Sequence, residues 1–202
     1  MLGRLRKRYE EALKPLGSAL ARLGLPPNLV TLLSLAVAAG CGYALYLGNL
    51  YLGLLLLALA GFMDVVDGAV ARASSKASGF GGVLDKVVDR YVEFALLLGL
   101  MLGGFLRWGV FALFGIVMAS YSRAEAQAAL GEGCVKGGLM ERQEKLLLLA
   151  LGMLLYPALP SSIDYAAIVV GALSHATAAQ RLLRAWAYSV RRGGTPCTTS
   201  SA

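Results

Sequence analysis

Between Leu50 and Phe62 the chain reads LYLGLLLLALAGF, and between Phe94 and Leu106 it reads FALLLGLMLGGFL. Neither run holds a charged side chain, and further apolar runs precede and follow them. Crossing the hydrocarbon core of a bilayer takes about 20 predominantly apolar residues in a helix. Of the 202 residues, 57% are hydrophobic and 15% charged, against roughly 25% charged in a soluble domain, and the mean hydropathy is +0.65. These runs predict an all-α integral membrane protein and exclude an ordinary soluble domain. The first run begins after a basic, amphipathic segment and is followed by many others, which argues against a cleaved signal peptide.

Glycine, proline and asparagine in GLPPN, LGNL, GGFLRWG, GEGCVKGG and YPALPSSID punctuate the runs. They divide the chain into six expected spans: 28–48, 49–71, 82–104, 107–130, 143–159 and 163–187. Before them, Leu2, Leu5, Tyr9, Leu13 and Leu16 recur at helical intervals among cations. That pattern predicts an amphipathic interfacial helix over 1–24, lying in the headgroup plane. The expected organisation is that helix, a six-helix transmembrane catalytic domain over 25–190 and a flexible polar tail over 191–202.

Of the 19 Lys and Arg residues, only Arg107 falls in a connection assigned to the outside. The positive-inside rule then predicts a multi-pass cell-membrane protein with both termini cytoplasmic. The net charge of +7 follows from this topology and from attraction to anionic membrane lipid and phosphorylated substrates. It calls for no nucleic acid. Cys41, Cys134 and Cys197 form no CxxC pair, and His175 is a single histidine without a neighbouring ligand pattern. Zinc and a disulfide framework therefore find no support; His175 reads as a packed residue of the last span.

The segment MDVVDGAVARASSKASGFGGVLDKVVDRYVE, from Met63 to Glu93, puts Asp64, Asp67, Asp85 and Asp89 at a cytoplasmic membrane edge. Ionisable groups at such depth usually mark an ion, proton or substrate site. At about 100° per residue, Asp64, Asp67, Gly68 and Ala71 share one helix face, and Gly81, Asp85 and Asp89 climb a second helix in four-residue steps. The short connection predicts that the two helices pack antiparallel as neighbours. Four converging carboxylates need a compensating cation. A hard divalent ion bound by oxygen supplies it, and Mg²⁺ is the usual choice where phosphates complete the shell. Gly68, Gly81 and Gly82 remove side chains where a polyanionic ligand would approach the backbone, or else serve close helix packing.

The same stretch resembles the CDP-alcohol phosphotransferase signature, D-x2-D-G-x2-A-R-x8-G-x3-D-x3-D. All of its fixed positions are present: Asp64, Asp67, Gly68, Ala71, Arg72, Gly81, Asp85 and Asp89. LPPNLVT before the first span is also similar to the segment found there in the family. The resemblance implies transfer of a substituted phosphate from a CDP-linked lipid donor to an alcohol, releasing CMP. It implies a pair of Mg²⁺ ions, with Mn²⁺ as a substitute, held by Asp64, Asp67, Asp85 and Asp89. It makes Asp89 the general base as well. Asn28, Thr31, Asp67, Gly68, Arg72, Gly81 and Gly82 become the residues that bind the CDP-lipid. A homodimer is implied too.

Arg123, Lys136, Arg142 and Lys145 lie around the fourth connection, and Arg181 lies near the end of the last span. Cytoplasmic loops are basic in any case, but arginine in particular suits bidentate phosphate binding. Ser120-Tyr121 with Arg123, Glu141-Arg142 and Gln180-Arg181 are similar to the phosphatidylinositol-phosphate synthase branch. That likeness implies a phosphorylated polyol acceptor, inositol phosphate, with Arg123, Arg142 and Arg181 holding its phosphate. The loop LGEGCVKGG is longer than the branch pattern. Glycerol 3-phosphate and serine are the rival acceptors within the family. A divalent-cation transporter is the rival from another class, but it would place its carboxylates nearer the bilayer midplane.

Overall fold

The computed structural model describes Pro15, Ala19 and residues 26–73, 79–131, 135 and 137–192; in Pro27, Ala71, Arg72, Ala73, Arg191 and Arg192 it describes the backbone only. Of the expected interfacial helix over 1–24 only Pro15 and Ala19 are described, each helical and exposed, and the tail beyond residue 192 lies outside the described residues. From residue 26 on, the described residues form six helices and no strand. They are α1 (Pro27–Tyr46), α2 (Leu50–Ala73), α3 (Gly79–Leu102), α4 (Gly109–Leu130), α5 (Arg142–Leu155) and α6 (Ser162–Arg192). Two compact units, Met1–Gly103 and Gly104–Ala202, contain three of these helices each.

By length and composition α1, α2 and α6 suffice to cross a membrane, over Asn28–Tyr46, Leu50–Val70 and Ser162–Val190. The helices of the other three expected spans are more highly charged or shorter. Asp85, Lys86, Asp89, Arg90 and Glu93 interrupt α3 ahead of Phe94, and Arg123 and Glu125 interrupt α4 near its end. α5 has 14 residues, about 21 Å at 1.5 Å per residue. Outward-facing Leu55 (65% exposed), Leu147 (61%) and Trp186 (66%) are the kind of surface that an apolar solvent covers.

In the first unit, proline starts α1: Pro27 takes the opening turn, where its missing N–H costs nothing. Gly48 ends it with a φ of 81°, a left-handed conformation that glycine adopts without strain. The Gly48 and Asn49 N–H groups donate back to Leu45 and Ala44, and Asn49 Oδ1 accepts from Leu52 N to open α2. α1 packs against both α2 and α3. The expected side-by-side packing of the two acid-bearing helices is therefore corrected, because α1 is the helix along which each of them lies. Small residues make this possible. A Cβ on Gly42 would lie 2.6 Å from the Ala95 carbonyl oxygen, and one on Gly99 would strike the Gly42 backbone. The buried Cys41 donates its thiol to the Gly53 carbonyl, 3.1 Å away. Leu45, Leu96, Leu97 and Leu100 fill the interior.

In the second unit α6 is the common partner, packing against α4 and α5. A Cβ on Gly115 would sit 2.9 Å from the Gly171 carbonyl oxygen, and the His175 ring stacks obliquely on Phe111 at 5.0 Å. This bears out the packed reading of His175. α5 meets α6 at Gly152, whose carbonyl accepts from Ser162 Oγ at 2.6 Å. The Arg107 N–H donates to Asp164 in the first turn of α6 at 2.8 Å. α6 runs on through Arg191 and Arg192, so the helix takes in the first residues of the expected tail.

Candidate active site

Asp64 and Asp67 lie three residues apart on α2, and Asp85 lies in the second turn of α3. Helical spacing turns the first two to one face. One oxygen from each of the three carboxylates lies within 4.8 Å of the other two. α1 sets this convergence from beneath. Its Val30 packs with Val66 and Val70 of α2, and its Ala38 packs with Val88 and Val92 of α3. Each contact fixes the rotation of an acid-bearing helix about its own axis.

Asp67 is buried, and its Oδ2 accepts a hydrogen bond from Thr31 Oγ1 at 2.9 Å. Thr31 is itself buried and held on α1. A hydroxyl that orients a carboxylate in this way is typical of the outer shell of metal sites. The structure thus gives Thr31, expected among the CDP-lipid residues, a direct partner in the acid cluster. As a donor set, three carboxylates are hard oxygen ligands, the chemistry that Mg²⁺ and Mn²⁺ accept. Like charges so close also call for a cation. The residues fit the implied metal.

Asp89, expected as a fourth ligand of the metal, is not among the acids that converge and stands apart from that trio. It lies one turn further along α3, and its Oδ2 is 3.8 Å from Arg90 Nη2. Arg90 Nη1 in turn lies 2.9 Å from Glu93 Oε2, a carboxylate only 1% exposed. Glu93 was missed by the reading of the sequence, although Asp85, Asp89 and Glu93 continue one four-residue series. Of the other expected donor-binding residues, Asn28, Gly68 and Gly81 are half-buried and Gly82 is exposed. A Cβ on Gly82 would meet nothing within 4 Å, so close helix packing does not account for that glycine. The Arg72 side chain lies outside the described residues.

In the second unit, Arg123 is exposed on α4, Arg142 is half-buried at the start of α5 and Arg181 is buried on α6. A reciprocal capping box starts α5 at Arg142: Glu141 caps the Glu144 N–H, and Glu144 Oε2 accepts from Glu141 N at 2.9 Å. Arg181 is held by backbone. Its Nε and Nη2 both donate to the Gly137 carbonyl at 3.1 Å, and its Nη1 donates to the Ala119 carbonyl. Ala119 lies one turn before Arg123, and Gly137 leads into the α5 cap. Thr177 strengthens the tie by accepting from Leu139 N at 3.2 Å. Arg181 therefore touches the segments that carry both other arginines. Lys136 lies outside the described residues, and Lys145 is buried on α5.

Residues 25–180 match the CDP-alcohol phosphatidyltransferase family. The chain is 36% identical over 187 residues to an archaetidylinositol phosphate synthase of Pyrococcus horikoshii, an alignment that covers 92% of this chain and 96% of the relative. Its fold is similar to that of the phosphatidylinositol phosphate synthase of Mycobacterium tuberculosis. With the structure of that enzyme solved with CDP-DAG bound, the TM-score is 0.75 at 26% identity, covering 86% of this chain and 92% of the other. With its complex with manganese and citrate, the TM-score is 0.76 at 27% identity, covering 86% and 88%. A matched domain over most of the chain, an acid trio suited to a metal and apolar helices long enough for a membrane agree with one another: this chain is a transferase of phospholipid biosynthesis and belongs to the CDP-alcohol phosphatidyltransferase family.

Proposed function

We propose that the protein transfers the substituted phosphate of a CDP-linked lipid, CDP-diacylglycerol or CDP-archaeol, to a hydroxyl of inositol phosphate, releasing CMP. The observation that carries this reading is the convergence of Asp64, Asp67 and Asp85 on one point, in a chain whose relatives are named for inositol phosphate lipids. In the reaction the acceptor oxygen forms a bond to the lipid-linked phosphorus. The bond from that phosphorus to the bridging diphosphate oxygen breaks, and CMP leaves with that oxygen. Mg²⁺ or Mn²⁺ bound by the acids would neutralise the diphosphate and stabilise the leaving group. The chain's own part is to supply carboxylate oxygens from Asp64, Asp67 and Asp85, with Thr31 holding Asp67 in orientation. Asp89 accepts the hydroxyl proton. Asn28, Gly68, Arg72, Gly81 and Gly82 line the approach of the CDP-lipid.

Arg123, Arg142 and Arg181 are assigned to the acceptor's phosphate. Support comes from Arg181, whose bonds to the Ala119 and Gly137 carbonyls tie it to the segments that carry Arg123 and Arg142. Six membrane spans, a cytoplasmic active site with cytoplasmic termini, and a homodimer belong to the same reading. They rest on the Lys and Arg distribution and on the family resemblance. The deciding experiment offers CDP-diacylglycerol or CDP-archaeol with inositol phosphate, glycerol 3-phosphate or serine, in Mg²⁺, and measures CMP. Inositol phosphate is expected to give the highest kcat/KM. A preference for either other acceptor overturns the assignment, and cation flux into sealed vesicles without CMP release would favour a transporter.

A further inference from the structure

Glu93 is an acid that the proposed chemistry does not use, yet it is 1% exposed at the point where α3 turns wholly apolar. An ionised carboxylate so buried is strongly unfavourable unless it is paired. Arg90, one turn back on the same helix, forms an ion pair with it, with Nη1 at 2.9 Å from Oε2. The other terminal nitrogen of that guanidinium faces Asp89 Oδ2 at 3.8 Å. A planar guanidinium pinned at one end cannot turn independently at the other. Asp89 is also the one signature aspartate outside the converging trio.

From this geometry we infer that Glu93 is a positioning residue: it anchors Arg90, and Arg90 holds the Asp89 carboxylate in the orientation from which it accepts the acceptor's proton. The inference rests on Asp89 being the base. It assigns Glu93 no contact with either substrate and no metal-ligating role. Glu93 acts on the rate only through Arg90 and Asp89.

The test is a double-mutant cycle on full-length protein in detergent, with Glu93→Gln, Arg90→Gln and the pair together. A misplacement of this kind costs kcat about tenfold or more in each single variant. Donor and acceptor KM stay within about twofold, and Mn²⁺ binding, titrated by electron paramagnetic resonance without substrates, is unchanged. Because both residues act through one link, the double variant is no slower than the worse single. It also removes the buried charge together with its partner, so it folds even if Arg90→Gln alone does not. Glu93→Asp is expected to recover part of the rate. Wild-type kcat in Glu93→Gln, losses that multiply in the double variant, or a loss that appears in KM or Mn²⁺ affinity would each overturn the inference. Asp89→Asn run in parallel separates the two layers. If it is inactive while Glu93→Gln is normal, the anchor fails and the base stands. If it turns over normally, the base fails, and the anchor, which acts only through it, fails for that stated reason.

Discussion

The acid trio of the first unit and the arginines of the second are both polar groups set among apolar helices, but they are assembled in different ways. Asp64, Asp67 and Asp85 reach one point because of helical register, with α1 packed beneath and one hydroxyl, Thr31, bonded to Asp67. Arg181 is instead locked by carbonyls from two other segments, Ala119 on α4 and Gly137 before α5. Those bonds use three of the five guanidinium N–H donors. In the first unit, then, removing one charged side chain removes a ligand and leaves the scaffold standing. In the second, removing Arg181 takes out a charge and a structural tie together.

The largest expected effect tests the first half of that contrast. Asp64→Asn and Asp67→Asn should abolish CMP release and Mn²⁺ binding while leaving the melting temperature of the detergent-solubilised protein close to wild type. Full turnover in excess chelator would show that the trio holds no essential metal. Asp89→Asn comes next. It should lose about 10²–10⁴-fold in kcat, the usual contribution of a general base, and still bind CDP-lipid and Mn²⁺. A loss of only a few-fold would move the base elsewhere.

The arginines sharpen the comparison. Losing one charge-assisted phosphate contact costs roughly 1.5–3 kcal/mol. Arg142→Ala should accordingly raise the acceptor KM by about ten- to a hundredfold, with the donor KM and the melting temperature unchanged. Arg181→Ala should raise the acceptor KM as well, but it should also lower the melting temperature, because the Ala119 and Gly137 carbonyls lose their donor. If both variants weakened only the donor, the phosphorylated-acceptor assignment would fall and serine would become the better candidate. Smallest of the four is Thr31. An outer-shell partner is worth roughly 10–100-fold in metal affinity, and a single neutral hydroxyl should sit near the lower figure. Thr31→Val should weaken Mn²⁺ about tenfold and Thr31→Ser should not. An effect confined to the CDP-lipid KM would return Thr31 to the donor pocket.

Much of this was legible in the chain, and the reason is local. Apolar runs of helical length give helices wherever they occur, and Gly48, Pro27 and Asn49 mark their ends through backbone constraints that act within a few residues. Asp64, Asp67, Asp85 and Asp89 were readable because a helix converts three- and four-residue spacings into a face. Glu93 belonged to the same series, and its four-residue step from Asp89 was the available signal. What lay beyond the sequence depends on contacts between segments far apart in the chain. That α1 packs against α3 rests on the Gly42–Gly99 approach, and no spacing rule connects those two positions. The Thr31–Asp67 hydrogen bond spans 36 residues, and the reach of Arg181 to Ala119 spans 62. Helix register is a property of consecutive residues, so the chain by itself determined which acids share a face. The partner of a buried hydroxyl or guanidinium is whichever group the packed helices bring within 3 Å or so, and only the tertiary structure decided that.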